Sequence, residues 1–219
     1  MQQIELRGLL PCVFRGMEET EKIRQSEVWL RDELTLERGC RVCIQAESGG
    51  GKSSLLSFIY GNRFDYIGSI LFDGQESRRL SVDDWCELRT RHLALLPQEL
   101  RLFPELSVMQ NLQLKNRLTD HKTEAEMLTM LEHLGIREKA QERVGLLSVG
   151  QQQRVAIVRA VCQPFDFLLL DEPVSHLDRA NNLIAASIVE EEALRQGAGI
   201  VSTSVGNPLQ IEGATLVSL

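Results

Sequence analysis

The chain has 219 residues, of which 43% are hydrophobic and 25% charged, and its net charge is −7. That size and composition suit one soluble domain with a sizeable core, or one core with a small appended subdomain. The acidic balance leaves no broad basic surface and excludes a general nucleic-acid binder, and no apolar run reaches the roughly 18 residues that span a bilayer.

The start, Met1-Gln2-Gln3-Ile4-Glu5, has no basic region followed by an apolar stretch, so no secretory leader is expected. Residues 4–10 alternate like a half-buried strand. Residues 18–25 are polar and charged and read as a loop or short insertion. Val28-Trp29-Leu30 and Leu34-Thr35-Leu36 read as further strand. An opening antiparallel sheet beside a nucleotide core fits this run. An aromatic residue here can stack on an adenine ring, Phe14 first and Trp29 second.

Residues 41–45 are a short apolar strand, followed by Ala46-Glu47-Ser48-Gly49-Gly50-Gly51-Lys52-Ser53-Ser54 and an apolar helix at 55–59. Strand, glycine-rich turn, Lys-Ser and helix is the layout of a phosphate-binding loop. The glycines let successive N–H groups curl around one anion, and the following helix adds its positive end. Lys52 can reach the β- and γ-phosphates, and the Ser53 hydroxyl can hold Mg²⁺. Ala46 stands where the usual pattern opens with Gly. Cys40 and Cys43 flank the strand as a C-x-x-C with no second pair. Reduced strand cysteines in a cytosolic protein are the expectation.

Ser69-Ile70-Leu71-Phe72 is a strand, and Ser81 with Asp84 caps a short helix. Leu93-Ala94-Leu95-Leu96 is a buried strand that stops at Pro97 and leaves Gln98 facing a ligand. Ser107 starts a helix. Residues 123–134 form an amphipathic helix closed by Gly135, and a second short helix follows at about 137–143. Residues 99–150 are thus a helical insert between core strands.

Ser148 and Gly150 open another helix, whose N-terminus offers N–H groups to an anion. Phe165-Asp166-Phe167-Leu168-Leu169-Leu170 is a largely apolar run of strand length ending in Asp171-Glu172-Pro173. Acids at the carboxyl end of a buried strand sit where α/β folds bind ligands. Asp171 suits Mg²⁺ through water, and Glu172 suits polarising an attacking water. A helix then runs to about Gln196. Residues 200–203 are a strand with Ser204 at its end, and 214–219 a last strand.

Phosphate loop, Gln98, helical insert, Leu147-Ser148-Val149-Gly150-Gln151, Leu168-Leu169-Leu170-Asp171-Glu172-Pro173 and Ser175-His176-Leu177-Asp178 stand in one order. Over essentially the whole chain this resembles the ATP-binding cassette (ABC) ATPase family. The stretch from Leu95 to Leu112 is similar to the subgroup serving lipoprotein release, macrolide export and bacterial cell division. The resemblance implies a single α/β domain over 1–219. Residues 1–98 and 151–219 would be a P-loop NTPase core with an N-terminal antiparallel β subdomain, and 99–150 a helical subdomain ending in the signature motif.

It further implies ATP and Mg²⁺ as ligands, the latter through Ser53, Gln98 and Asp171. Residues 47–54 would hold the nucleotide, together with Phe14. Ser148, Gly150 and Gln151 would face the nucleotide of a second ABC subunit, in a homodimer or heterodimer. The implied setting is the inner face of the cell membrane, through an integral membrane permease. The implied catalytic residues are Glu172, Gln98 and Ser204. Two departures stand out: Val149 replaces a signature glycine, and Ser204 replaces a histidine, whose imidazolium charge a hydroxyl cannot carry. Slow ATP hydrolysis powering a transport or envelope-remodelling complex is the expectation, with an ATP-binding regulatory module as the alternative. A ribosome- or DNA-acting cassette fits less well, for want of a second cassette or coiled coil.

Overall fold

The computed structural model, which describes residues 1–219, divides its strands between two sheets. Strands β1 (Gln3–Pro11), β2 (Leu34–Glu37), β4 (Tyr66–Phe72) and β5 (Gln75–Glu76) pair antiparallel in the order β2-β1-β4-β5. Strands β3 (Arg41–Gln45), β6 (Leu93–Leu96), β7 (Phe167–Leu170), β8 (Gly199–Ser204) and β9 (Thr215–Ser218) form a parallel sheet in the order β6-β7-β8-β3-β9. The helices are α1 (Glu21–Gln25), α2 (Lys52–Ile59), α3 (Val82–Glu87), α4 (Val108–Asn116), α5 (Glu124–His133), α6 (Val149–Ala160) and α7 (Arg179–Gln196).

The parallel sheet is the wall between two cores. Side chains of a strand alternate between its faces, and in β7 both faces are covered. Phe167 and Leu169 pack with Leu55, Phe58 and the apolar residues of β1, whereas Leu168 and Leu170 pack with α4 to α7. An unbroken apolar run is what a doubly covered parallel strand requires. Helix starts follow from short side chains. Ser81 with Asp84, Ser107 with Gln110, Thr123 with Glu126 and Ser148 with Gln151 each form a reciprocal capping box, worth about 1 kcal/mol apiece.

Three local expectations change. Val28 and Trp29 are buried but lie in a turn, where Ser26 Oγ accepts the N–H groups of both at 3.1 and 2.8 Å. Their apolar character serves packing and not a sheet. Residues 21–25 of the supposed loop close into the short helix α1. Of the helix expected at about 137–143 only the 3₁₀ turn Arg137–Lys139 forms, and a second 3₁₀ turn, Val144–Leu146, follows beyond that range. The carbonyls of Ala140 and Glu142 accept the N–H groups of Met109 and Val108 at the start of α4, so they are not free to continue a helix.

Helices α4 and α5 both pack on α6, so residues 99–150 form a helical layer against the second core. The carboxyl ends of β3, β6, β7 and β8 all open at one edge of the parallel sheet. That edge carries the phosphate-loop sequence, Gln98, the Asp171-Glu172 pair and Ser204.

Candidate functional site: a phosphate-binding cleft

The loop between β3 and α2 needs its glycines for two separate reasons. Gly49 and Gly51 have φ of +77° and +95°, which favours a residue without Cβ. A Cβ on Gly50 would lie 2.6 Å from Ala46 Cβ, and one on Gly51 would lie 2.9 Å from the Trp29 ring. Ala46 is outside the positive-φ region, so its methyl group carries no backbone strain. Trp29, 1% exposed, forms the floor of the loop, and its Nε1–H donates to the Gly50 carbonyl at 3.4 Å. That burial removes Trp29 as a platform for a base. Phe14 meets it edge-on at 6.4 Å and lines the cleft.

The cleft has a volume of about 320 Å³ and is lined by residues 48–54, Phe14, Gln98 and Glu172, with Pro11 and Val13 at its border. The Lys52 ammonium is buried and donates to the carbonyls of Ala46 and Glu47 at 2.8 and 3.0 Å. It also stands 3.7 Å from Glu172 Oε1. Ser53 Oγ donates to Gln98 Oε1 at 3.5 Å, and Gln98 Nε2 donates to Glu172 Oε2 at 3.3 Å. Lys52, Ser53, Gln98 and Glu172, from three separate parts of the chain, thus meet in one chain of contacts.

Asp171 is 5% exposed and does not line the cleft itself. Its Oδ1 accepts the Thr203 hydroxyl proton at 2.7 Å. Glu172 adopts φ of +48°, a region unusual for a residue with a side chain. Two buried side chains hold that backbone. Thr203 Oγ1 accepts the Glu172 N–H at 3.0 Å, and Gln153 Nε2 donates to its carbonyl at 3.1 Å. Gln153 Oε1 also accepts the N–H of His176 at 2.9 Å.

Other expected site residues lie elsewhere. Ser204 is 2% exposed, and its hydroxyl accepts the N–H of Gly206 at 3.0 Å rather than facing the cleft. A hydroxyl is too short to reach out from the strand end, so it closes the local turn instead. Glu47 contributes its carbonyl, while its exposed carboxylate points away from the lining. Ser54 lines the cleft and accepts from Arg63 at 3.0 Å. Ser148, Gly150 and Gln151 are at the start of α6 and do not line this chain's cleft. Ser148 and Gln151 spend their side chains on capping α6, and Val149 between them is 52% exposed.

The residues present fit the ligands that the loop implies. The Gly50 N–H closes the turn on the Glu47 carbonyl at 3.1 Å, Gly49 and Gly51 line the cleft beside it, and a buried lysine supplies positive charge for an anion there. The Ser53 hydroxyl, the Gln98 carboxamide oxygen and the Asp171 carboxylate are hard oxygen donors of the kind Mg²⁺ prefers. Thr203 and Gln153 were not singled out from the sequence. Thr203 is the middle of three consecutive hydroxyl residues, Ser202-Thr203-Ser204, that close a strand, and nothing local distinguishes it from its two neighbours.

A glycine-rich loop leading into a helix, with paired acids at the end of a neighbouring parallel strand, defines a P-loop nucleotide-binding domain. The family model described as ABC transporter matches residues 31–175. The chain belongs to the ABC transporter family and carries its ATPase domain.

The macrolide export ATP-binding/permease protein MacB of Rhodopseudomonas palustris is 35% identical over 169 residues, covering 75% of this chain and 26% of MacB. The lipoprotein-releasing system ATP-binding protein LolD of Shewanella denitrificans is 31% identical, with 77% of this chain and 73% of LolD covered. The thiamine import ATP-binding protein ThiQ of a Jannaschia species is 34% identical, with 73% and 69% covered. The chain spans about a quarter of the length of the MacB exporters it matches. In fold it is similar to the ABC transporter cassette MJ0796, solved as a dimer, at a TM-score of 0.78 and 22% identity over 98% of this chain and 94% of that one.

Proposed function

We propose that this chain binds and hydrolyses ATP as the motor of an ABC transporter. The observation that carries this reading is the convergence of Lys52, Ser53, Gln98 and Glu172 on one cleft. Lys52 exchanges its two carbonyl partners for the β- and γ-phosphates. The loop N–H groups and the α2 N-terminus neutralise the remaining charge. Phe14 takes the base. Ser53, Gln98 and Asp171 would hold Mg²⁺, which would supply charge neutralisation on the phosphates. Glu172 orients and polarises the attacking water, and Gln98, bonded to both Ser53 and Glu172, reports the occupancy of the site.

A second cassette, identical or different, supplies Ser148-Val149-Gly150-Gln151 from its own α6, because these residues lie outside this chain's cleft. ATP binds the closed pair better than the open one, and this difference drives closure. No helix here is long and apolar enough to cross a membrane. In this reading a separate segment or subunit spans the membrane as the permease, and the cassette works on the cytoplasmic face. The likeness to MacB and LolD supports an exporter or lipoprotein-release role, although ThiQ shows that importers match at comparable identity.

One observation favours a second reading, an ATP-binding regulatory module with minor hydrolysis. Ser204 is buried and does not line the cleft, so no side chain of β8 borders the γ-phosphate side. The same arrangement supports slow turnover in the main reading as well. Phosphate release by wild type beside Lys52→Ala tests the main reading. Release that is lost in the variant supports it, and equal release by both contradicts it.

A further inference from the structure

Glu172 has the contorted backbone of a residue held by its neighbours. Its φ of +48° is a backbone conformation that a residue with a side chain adopts only at an energetic cost. Such a conformation persists only where the surroundings over-determine it. Here the N–H is held by Thr203 Oγ1 at 3.0 Å and the carbonyl by Gln153 Nε2 at 3.1 Å. Both side chains are 1% exposed and come from different elements, β8 and α6.

Thr203 does more than hold one peptide. Strands β7 and β8 run parallel with Leu170 opposite Ser202, which puts Thr203 level with Asp171. A hydroxyl has one proton to give and lone pairs to accept with. The proton goes to Asp171 Oδ1 at 2.7 Å, and a lone pair takes the Glu172 N–H. One buried oxygen atom therefore fixes the orientation of the Asp171 carboxylate and the peptide that aims Glu172. Gln153 holds the next peptide, on the carbonyl side of Glu172, while its Oε1 accepts the His176 N–H, so the helix that begins at Ser148 is tied to the same segment.

We propose that Thr203 is the positioning residue of this site, its hydroxyl setting the Asp171 carboxylate and the Glu172 backbone together, with Gln153 as the opposing clamp. This rests on the reading of Asp171 and Glu172 given above. Valine is nearly isosteric with threonine but leaves the Glu172 N–H and Asp171 Oδ1 without a partner. Serine keeps the hydroxyl.

The test has two readouts on the full chain, one of them independent of hydrolysis. The first is Mn²⁺ affinity of the protein–ATP complex, followed by electron paramagnetic resonance. The second is single-turnover ATP cleavage. Thr203→Val is expected to weaken Mn²⁺ about five-fold or more and to slow cleavage about ten-fold or more, as loss of partners to buried charged and backbone groups implies. ATP affinity in the presence of EDTA stays within about two-fold, and Thr203→Ser recovers both readouts to within about three-fold. In a Glu172→Gln background the valine still weakens Mn²⁺ but adds no further loss of rate, since it acts through Glu172.

Mn²⁺ affinity within about two-fold of wild type in Thr203→Val, or serine performing no better than valine, overturns the proposal. Equal cleavage by wild type and Glu172→Gln would remove the role given to Glu172, and the Mn²⁺ titration would then decide the Thr203 assignment by itself. Should Thr203→Val fail to fold, the Mn²⁺ titration of Thr203→Ala beside Thr203→Ser decides it, with the same expected difference.

Discussion

The Lys52 ammonium and the Glu172 carboxylate face each other 3.7 Å apart across the mouth of the phosphate loop. The acid shares with the triphosphate both its charge and its nearest cation. Removing that charge relieves repulsion on the incoming phosphates, so Glu172→Gln is expected to bind ATP about three- to ten-fold more tightly, on the scale of one partly screened charge pair. Lys52→Ala is expected to bind it at least ten-fold more weakly. Equilibrium binding of a fluorescent ATP analogue measures both.

The curl of the loop leaves no room at Gly50. Gly50→Ala places a methyl carbon 2.6 Å from Ala46 Cβ and 3.1 Å from the Glu47 carbonyl oxygen, so the turn must open. Overpacking of this kind costs about 1–3 kcal/mol, and the same cost taken from nucleotide binding is a loss of affinity of about five-fold to 150-fold. Ala46→Gly in the same chain removes one of the two obstructing atoms and is expected to restore part of that loss. Affinities of the two single variants and the double variant, compared in a cycle, show the coupling.

Ser204 gives an expectation opposite to the one its sequence position suggests. Its hydroxyl is buried and committed to the Gly206 N–H. Ser204→Ala should cost about 1 kcal/mol of stability through that lost bond while leaving ATP turnover within about two-fold. A large drop in turnover at unchanged affinity would place the hydroxyl on the reaction path after all. Thermal melting and phosphate release, run together, separate the two effects.

Lys115 lies in a groove with Tyr60, Leu95, Phe103, Arg101 and Arg159. Burial first, and then the Arg159 charge, push its ammonium down to about 8 from an ordinary 10.5. Below pH 8 the side chain is charged in both the folded and unfolded chain, and the folded state bears the cost. Between about 8 and 10.5 the unfolded chain binds more protons, so this group's contribution to stability improves as pH rises. Lys115→Met is therefore expected to raise the melting temperature at pH 7, with a gain that shrinks toward pH 10. A gain that is the same at both pH values would show that the charge of Lys115 carries no cost.

Much of this cleft is legible in the amino-acid sequence alone. The run from Ala46 to Ser54, the stop at Pro97 before Gln98, and the two acids after Leu170 are local patterns whose spacing implies their setting. The capping boxes at Ser81 and Ser148 are local in the same sense, each closing within three residues. Thr203 and Gln153 were not readable, because their roles depend on partners 31 and 19 residues away along the chain from Glu172. Trp29 misled as a strand residue since its burial arises from the loop lying on it and not from a sheet neighbour. Ser204 misled because its position at a strand end fixes the backbone but not the direction of a short side chain.

Single-turnover cleavage of ATP, with enzyme in excess and the wild type beside Glu172→Gln, tests most directly whether this cleft is a working ATPase. It sees one chemical event and is not masked by slow release or reopening. Cleavage of the bound γ-phosphate by wild type, with a loss of about a hundred-fold or more in Glu172→Gln at equal or tighter binding, is the expected result. Cleavage at the same rate in both would remove Glu172 from the reaction and contradict the central claim.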